Sequence, residues 1–142
     1  MGQPRRLLEV TRQEALRRLG SVAVGRIVFS QHALPAIRPV NHVVDGDAVI
    51  VRTHLGAAVL SAAGMVVAYQ ADTFDQVNEV GWSVVVTGVA RQLTDPADVA
   101  HYEGVLPPWL GGAPNHVVRI EPRIVTGYEL VKIPAPRANQ AG

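Results

Sequence analysis

Cysteine is absent from the 142 residues, which excludes disulfides, thiolate catalysis, iron–sulfur clusters and thiolate zinc sites. Lysine is almost absent: twelve arginines stand against the single Lys132. Schiff-base or lysine-nucleophile chemistry is therefore confined to one residue near the C-terminus. Charge of one sign is not in excess. The formal net charge is +1 and the basic runs are the pairs Arg5-Arg6 and Arg17-Arg18, which give no electrostatic footprint for DNA or RNA. No apolar run reaches the roughly 18 residues of a membrane span, and MGQPRRLLEV holds no apolar leader core. A soluble cytoplasmic protein with neither nucleic acid nor membrane as partner is expected. Dinucleotide-binding G-x-G-x-x-G and P-loop motifs are missing. His32, His42, His54, His101 and His116 show no H-x-H or H-E-x-x-H spacing, so no metal site built from sequence neighbours is expected.

What is present is apolar content. At 48% hydrophobic residues the chain has enough for one domain with a proper core and too little for two. Residues 1–10 read as a flexible N-terminus, 11–133 as the domain and 134–142 as a disordered polar tail. Thr11 and Glu14 have capping-box spacing for a helix over Arg12–Leu19, stopped by Gly20. Val22–Ser30, Leu34–Val44 and Ala48–Thr53 read as strands. Asp45-Gly46-Asp47 closes a hairpin between the last two. Pro35 and Pro39 cannot donate to a ladder and so should face an edge, a bulge or a ligand.

GAAVLSAA, from Gly56 to Ala63, fits a short helix capped by Gly64. Met65–Ala71 is a fourth strand, followed by a polar loop with Asp72, Phe74 and Asp75. Gly81–Leu93 is a long fifth strand, bent at Gly88 where a sheet closes. Asp95-Pro96-Ala97-Asp98 starts a helix reaching Tyr102 or Glu103. After a rigid loop around Trp109 come two strands, His116–Glu121 and Ile124–Val131, joined at Pro122-Arg123. Strands in this number with inserted helices indicate a mainly antiparallel β-barrel and not a doubly wound sheet.

Arg38-Pro39-Val40-Asn41, the run GWSVVVTG from Gly81 to Gly88, and Ile120-Glu121-Pro122 stand in an order and spacing that resemble the pyridoxamine 5′-phosphate oxidase-like family of FMN-binding split barrels. The resemblance runs from about Thr11 to Val131. It implies a mainly β, six-stranded antiparallel split barrel with short flanking helices, forming a homodimer with FMN in clefts between the subunits. By the same resemblance Arg38, Pro39, Val40 and Asn41 would lie along the isoalloxazine. Arg52 and Thr53, with His54 and Gly56, would face the phosphate, and Trp82 and Ser83 would reach the flavin from the partner.

The sequence departs from that pattern after Gly56. Ala57, Ala58 and Val59 stand where relatives place a Ser or Thr and then a Lys or Arg, which removes two phosphate ligands. Each loss of a charge-assisted hydrogen bond weakens binding by roughly 1.5–3 kcal/mol. Two function classes follow: a flavin-dependent oxidoreductase acting on a small molecule, or a barrel dimer that has lost FMN and serves as sensor or scaffold. F420 is a further cofactor known among relatives, and so is haem, with His42 or His54 as ligand. True pyridoxamine 5′-phosphate oxidase activity is not expected, because the family's R-x-H element has no match in ELVKIPAPR. Independently of the resemblance, Arg38 and Arg52 read as surface arginines and Trp82 as a barrel or interface plug. No residue is an obvious proton donor, and no Ser-His-Asp constellation can be argued.

Overall fold

The computed structural model describes residues 4–53, 64–108 and 116–133. Seven strands and two helices lie in them: β1 (Arg5–Glu9), α1 (Arg12–Gly20), β2 (Val24–Gln31), β3 (Leu34–Asp45), β4 (Ala48–Thr53), β5 (Val66–Asp75), β6 (Val80–Gln92), α2 (Pro96–Val105) and β7 (His116–Lys132). The sheet order is β1-β7-β4-β3-β2-β5-β6, and β6 also pairs with β7. Strands β2 to β7 therefore close into a six-stranded antiparallel barrel, with β1 added outside it. Strand β6 runs along one edge of β7 from Gly81↔Leu130 to Gln92↔Val118. The other edge is shared: β4 takes residues 116–120 and β1 takes residues 128–132. The barrel is split at that division.

Three sequence expectations need correction. Arg5–Glu9, read as flexible, is a strand held by β7. The two closing strands are one, His116–Lys132. Continuity holds at Pro122 because a bulge between Thr87 and Gly88 absorbs the break. Gly88 is required there, since a Cβ would collide with the Glu121 carbonyl. The loop expected from Asp72 continues β5 to Asp75. The expected helix from Gly56 to Ala63 and the Trp109 loop lie outside the described residues.

The remaining elements form for the reasons anticipated. Thr11 caps α1, its hydroxyl accepting from Glu14 N at 3.2 Å. The Glu14 carboxylate does not close the box; it turns to Arg17 and Arg18 instead, which hold its pKa down to about 2. Gly46 takes φ +60 in the β3–β4 turn, the positive angle that a two-residue loop requires. Pro35 pairs with Ser30 and Pro39 with Arg26, while β4 meets β3 only from Asn41 onward. Among the described residues no strand lies on the second edge of this stretch of β3, so both prolines sit where the ladder loses nothing.

Alternation sorts the side chains between two faces. Ile27, Val40, Val49, Val51, Tyr69, Val84, Val86, Val118 and Ile120 point into the barrel, where Ala15, Leu16 and Leu19 of α1 join them. A second cluster lies outside. Ala48 and Ile50 of β4 and Val117 of β7 pack against Tyr102 and Leu106 at α2. Strand β4 is therefore buried on both faces, which explains its unbroken AVIV run.

Candidate functional site

Asn41 and Arg52 are register partners on β3 and β4, and both fall in the outward phase, toward α2. The Arg52 side chain is 12% exposed. Its Nη1 donates to the Leu106 carbonyl at 2.7 Å and to the Glu103 carbonyl at 3.3 Å. Nη2 lies 3.5 Å from the Glu103 carboxylate. Asn41 Nδ2 donates to the Pro107 carbonyl at 3.0 Å. Two side chains named from the sequence thus hold the C-terminal end of α2. The charge logic is sound, because α2 has no basic residue in its own last turn and Arg52 supplies the cation that its dipole favours. One donor is left over: Arg52 Nε is buried without a hydrogen-bond partner. A buried, unpaired guanidinium N–H is costly in isolation, and it is the kind of group that an anion satisfies.

The other expected residues divide. Val40 and Thr53 are fully buried in the inward phase, so any ligand contact of Val40 is through its main chain. Arg38 is exposed and bonds the Ile37 carbonyl at 2.8 Å. With Leu34, Pro35 and Ile37 it borders a hollow of about 340 Å³ beside the β2–β3 hairpin tip. Pro39 lies between, exposed. Trp82 and Ser83 are consecutive on β6 and so point to opposite faces: Trp82 packs against the barrel core, and Ser83 Oγ meets Gln70 Nε2 at 3.4 Å. Within one chain these two are remote from Arg52. Arg52 pairs with Val117 and Trp82 with Glu129, twelve residues further along β7, or roughly 40 Å of strand contour. His54 and Gly56, with Ala57, Ala58 and Val59, lie outside the described residues.

His42 belongs elsewhere than the sequence reading placed it. It is 3% exposed and lies in the barrel. Its Nε2 is 2.7 Å from the Leu19 carbonyl, and its Nδ1 is 2.5 Å from the Tyr69 hydroxyl. The Leu19 carbonyl only accepts, so Nε2 carries the proton and Nδ1 receives the Tyr69 O–H. Burial pushes the His42 pKa down, partly offset by the Leu19 carbonyl, and burial likewise pushes Tyr69 up. With both ring nitrogens engaged, His42 is not free to ligate haem iron in this arrangement.

Other candidates are accounted for locally. Asp75 accepts from Val77 N, Asn78 N and Asn78 Nδ2, and the Asn78 bonds lower its pKa; it caps a turn. Tyr102 donates to Asp45 Oδ2 at 2.6 Å, fastening α2 to the β3–β4 turn and raising the Tyr102 pKa. A cleft of about 660 Å³ separates α1, at Arg12, Leu16 and Arg17, from Val44 and Asp47. Among the described residues no three of His, Asp and Glu come together as metal ligands, and no helix is long and apolar enough to cross a membrane.

A closed antiparallel barrel split along one strand defines the class: the split barrels. A profile of the pyridoxamine 5′-phosphate oxidase family matches residues 11–129, and the chain belongs to that family. An uncharacterized Mycobacterium tuberculosis protein is 52% identical over 133 residues, covering 89% of this chain and 88% of its own. A Corynebacterium glutamicum structure, provisionally assigned as a pyridoxamine 5′-phosphate oxidase, superposes with a TM-score of 0.78 at 32% identity, covering 95% of this chain and 99% of its own. An FAD-binding protein from Mycobacterium smegmatis gives a TM-score of 0.73 at 38% identity, covering 89% of this chain and 100% of its own.

What sequence reasoning missed is the partner of Arg52 and Asn41. The sequence carried half of the signal, a helix without a basic residue in its last turn; which arginine supplies the cation is decided by the fold.

Proposed function

We propose that the protein is a flavin-binding oxidoreductase-like homodimer acting on a small molecule. The observation that carries this reading is the unpaired Arg52 Nε–H, buried beside Asn41 on a face where a phosphate would satisfy it. Support comes from the FAD-binding relative at 38% identity. Arg52 would hold the phosphate, Asn41 and the Arg38–Val40 main chain would flank the ring, and a second copy would bring Trp82 and Ser83. When bound, a flavin supplies hydride or electron transfer, while the chain supplies orientation and hydrogen bonds.

Two features favour a second copy. The Arg52 and Trp82 halves lie at opposite ends of β7, so one chain does not assemble them. The outer face of β5–β6–β7 also presents Val66, Phe74, Ile124 and Tyr128 exposed, with no described element over it, as an unpaired sheet face does.

A second reading has its own observation. Three donor contacts of Arg52 are already taken by α2, and Ala57, Ala58 and Val59 supply no polar side chain. A dimer that has lost flavin would look like this. Titrating the purified protein with FMN, FAD, F420 and haemin separates the readings, followed by absorbance and tryptophan fluorescence. Micromolar flavin binding, lost in Arg52→Ala, supports the first; a colourless protein that takes up none of the four supports the second.

A further inference from the structure

The His42–Tyr69 pair has a use that the site above does not assign. His42 is paired in register with Val51. It therefore lies between Asn41 and Val43 on one strand and directly across from the neighbour of Arg52 on the next, but on the inward face. Tyr69 has a second acceptor in reach: its hydroxyl is 3.3 Å from the Val40 carbonyl. Gly25 leaves room for the phenol, since a Cβ there would stand 2.6 Å from its oxygen.

Two complete hydrogen-bond arrangements therefore exist for the same heavy atoms. With neutral His42, Nε2–H donates to Leu19 and Nδ1 accepts from Tyr69. With a proton added at Nδ1, both ring N–H groups donate, one to Leu19 O and one to the Tyr69 oxygen, and the phenol proton turns to Val40 O. No donor or acceptor is orphaned in either state. The charged state has further support, because Leu19 O belongs to the last turn of α1, where the helix dipole favours a cation.

We propose that His42 and Tyr69 form a buried proton-binding site coupled to the anion site on the opposite face of the same strands: an anion at Arg52 and a proton on His42 favour one another. The coupling is Coulombic, and the low dielectric of the barrel wall strengthens it. It is reciprocal by linkage. Among the described residues of the barrel cluster around His42, Tyr69 is the sole other ionisable side chain; the next buried phenol, Tyr102, lies in the outer cluster. On α1, Arg17 and Arg18 are turned to Glu14 and Glu129, and across the strands the charged groups are Arg52 and the Glu103 carboxylate paired with it. The proton comes from solvent and no bond other than N–H is made. The anion half rests on the flavin reading; the proton half does not.

The test has two arms. Imidazole ¹⁵N spectra of the full chain, without ligand, should show the Nε2–H tautomer near neutral pH. On acidification His42 should take a proton in the folded state, with the Val40 carbonyl and Tyr69 ring carbon signals following the same curve. In His42→Gln, or in Tyr69→Phe if the former does not fold, the Val40 signal should not respond. Unfolding before His42 titrates, or a flat Val40 signal while it does, overturns the proposal. In the second arm FAD serves as probe, because its pyrophosphate stays ionised across the range. FAD should bind about fivefold more tightly at about pH 5.5 than at about pH 7.5 in the native chain and equally at both in His42→Gln. Binding without that difference sinks the coupling. Absence of any FAD binding removes the flavin reading and leaves the proton switch to stand or fall by the first arm.

Discussion

His42 and Gly25 show how single residues are tied to a buried phenol. Gly25→Ala places a methyl 2.6 Å from three atoms of the Tyr69 ring and hydroxyl. Neither the ring nor the strand can move far, since the hydroxyl is held by His42 and the strand by both neighbours. Overpacking of this kind lowers stability by about 1–3 kcal/mol, to be read from the urea midpoint. His42 also sets a pH dependence. Its folded pKa lies below the ordinary imidazole value of 6.5, so the unfolded chain binds the proton more readily. The contribution to stability is complete above about pH 6.5 and declines as pH falls below it. Urea unfolding from about pH 7.5 to 5 should show that decline in the native chain and its reduction in His42→Gln. Glu14 adds a lower window, complete above 4.5 and lost as pH falls toward about 2; its exposure keeps that contribution small.

At the scale of elements, α2 depends on a strand for its C-terminal end. Tyr102 fastens its side to Asp45, and Arg52 with Asn41 fastens its end. Arg52→Ala should therefore destabilise the fold by about 1.5–3 kcal/mol, the range for hydrogen bonds to a charged group. Faster amide exchange should be concentrated in Pro96–Val105. This separates the two roles of the residue. Arg52→Lys keeps a cation near the α2 carbonyls but lacks the Nε edge, so it should retain more of the helix protection than of any flavin affinity. Equal loss of both in the lysine variant would mean that the arginine serves the helix alone.

At the scale of the molecule, the barrel closes on itself and still leaves apolar surface on β5–β6–β7. If that surface meets a second copy, Ile124→Glu should shift sedimentation from dimer to monomer at micromolar concentration. Ile124 is 59% exposed in the single chain, so the substitution leaves the barrel core intact and stability of the monomer should change by less than about 0.5 kcal/mol. A native chain that sediments as a monomer would remove the basis for a site shared between subunits.

Much of the fold was legible in local pattern. The AVIVRT strand, the Asp-Gly turn, the Thr11 cap, the Gly88 irregularity and the Asp95-Pro96 helix start each follow from chemistry within a few residues, and the structure keeps all of them. The family resemblance, carried by Arg38 to Asn41, the Gly81–Gly88 run and Ile120-Glu121-Pro122, was legible as well. Long-range geometry decided the rest. Whether Arg5–Glu9 forms a strand depends on an edge of β7 left free about 120 residues later, and Pro122 interrupts nothing only because β7 bulges beside it, leaving Arg123 unpaired opposite the Thr87–Gly88 step. That Arg52 grips α2, and that His42 faces a phenol inside the barrel instead of a ligand outside it, follows from strand phase and register. A one-residue change of phase would exchange the two faces; the Gly46 turn sets the pairing of β3 with β4, but closure of the barrel by β5, β6 and β7 decides which face is inside.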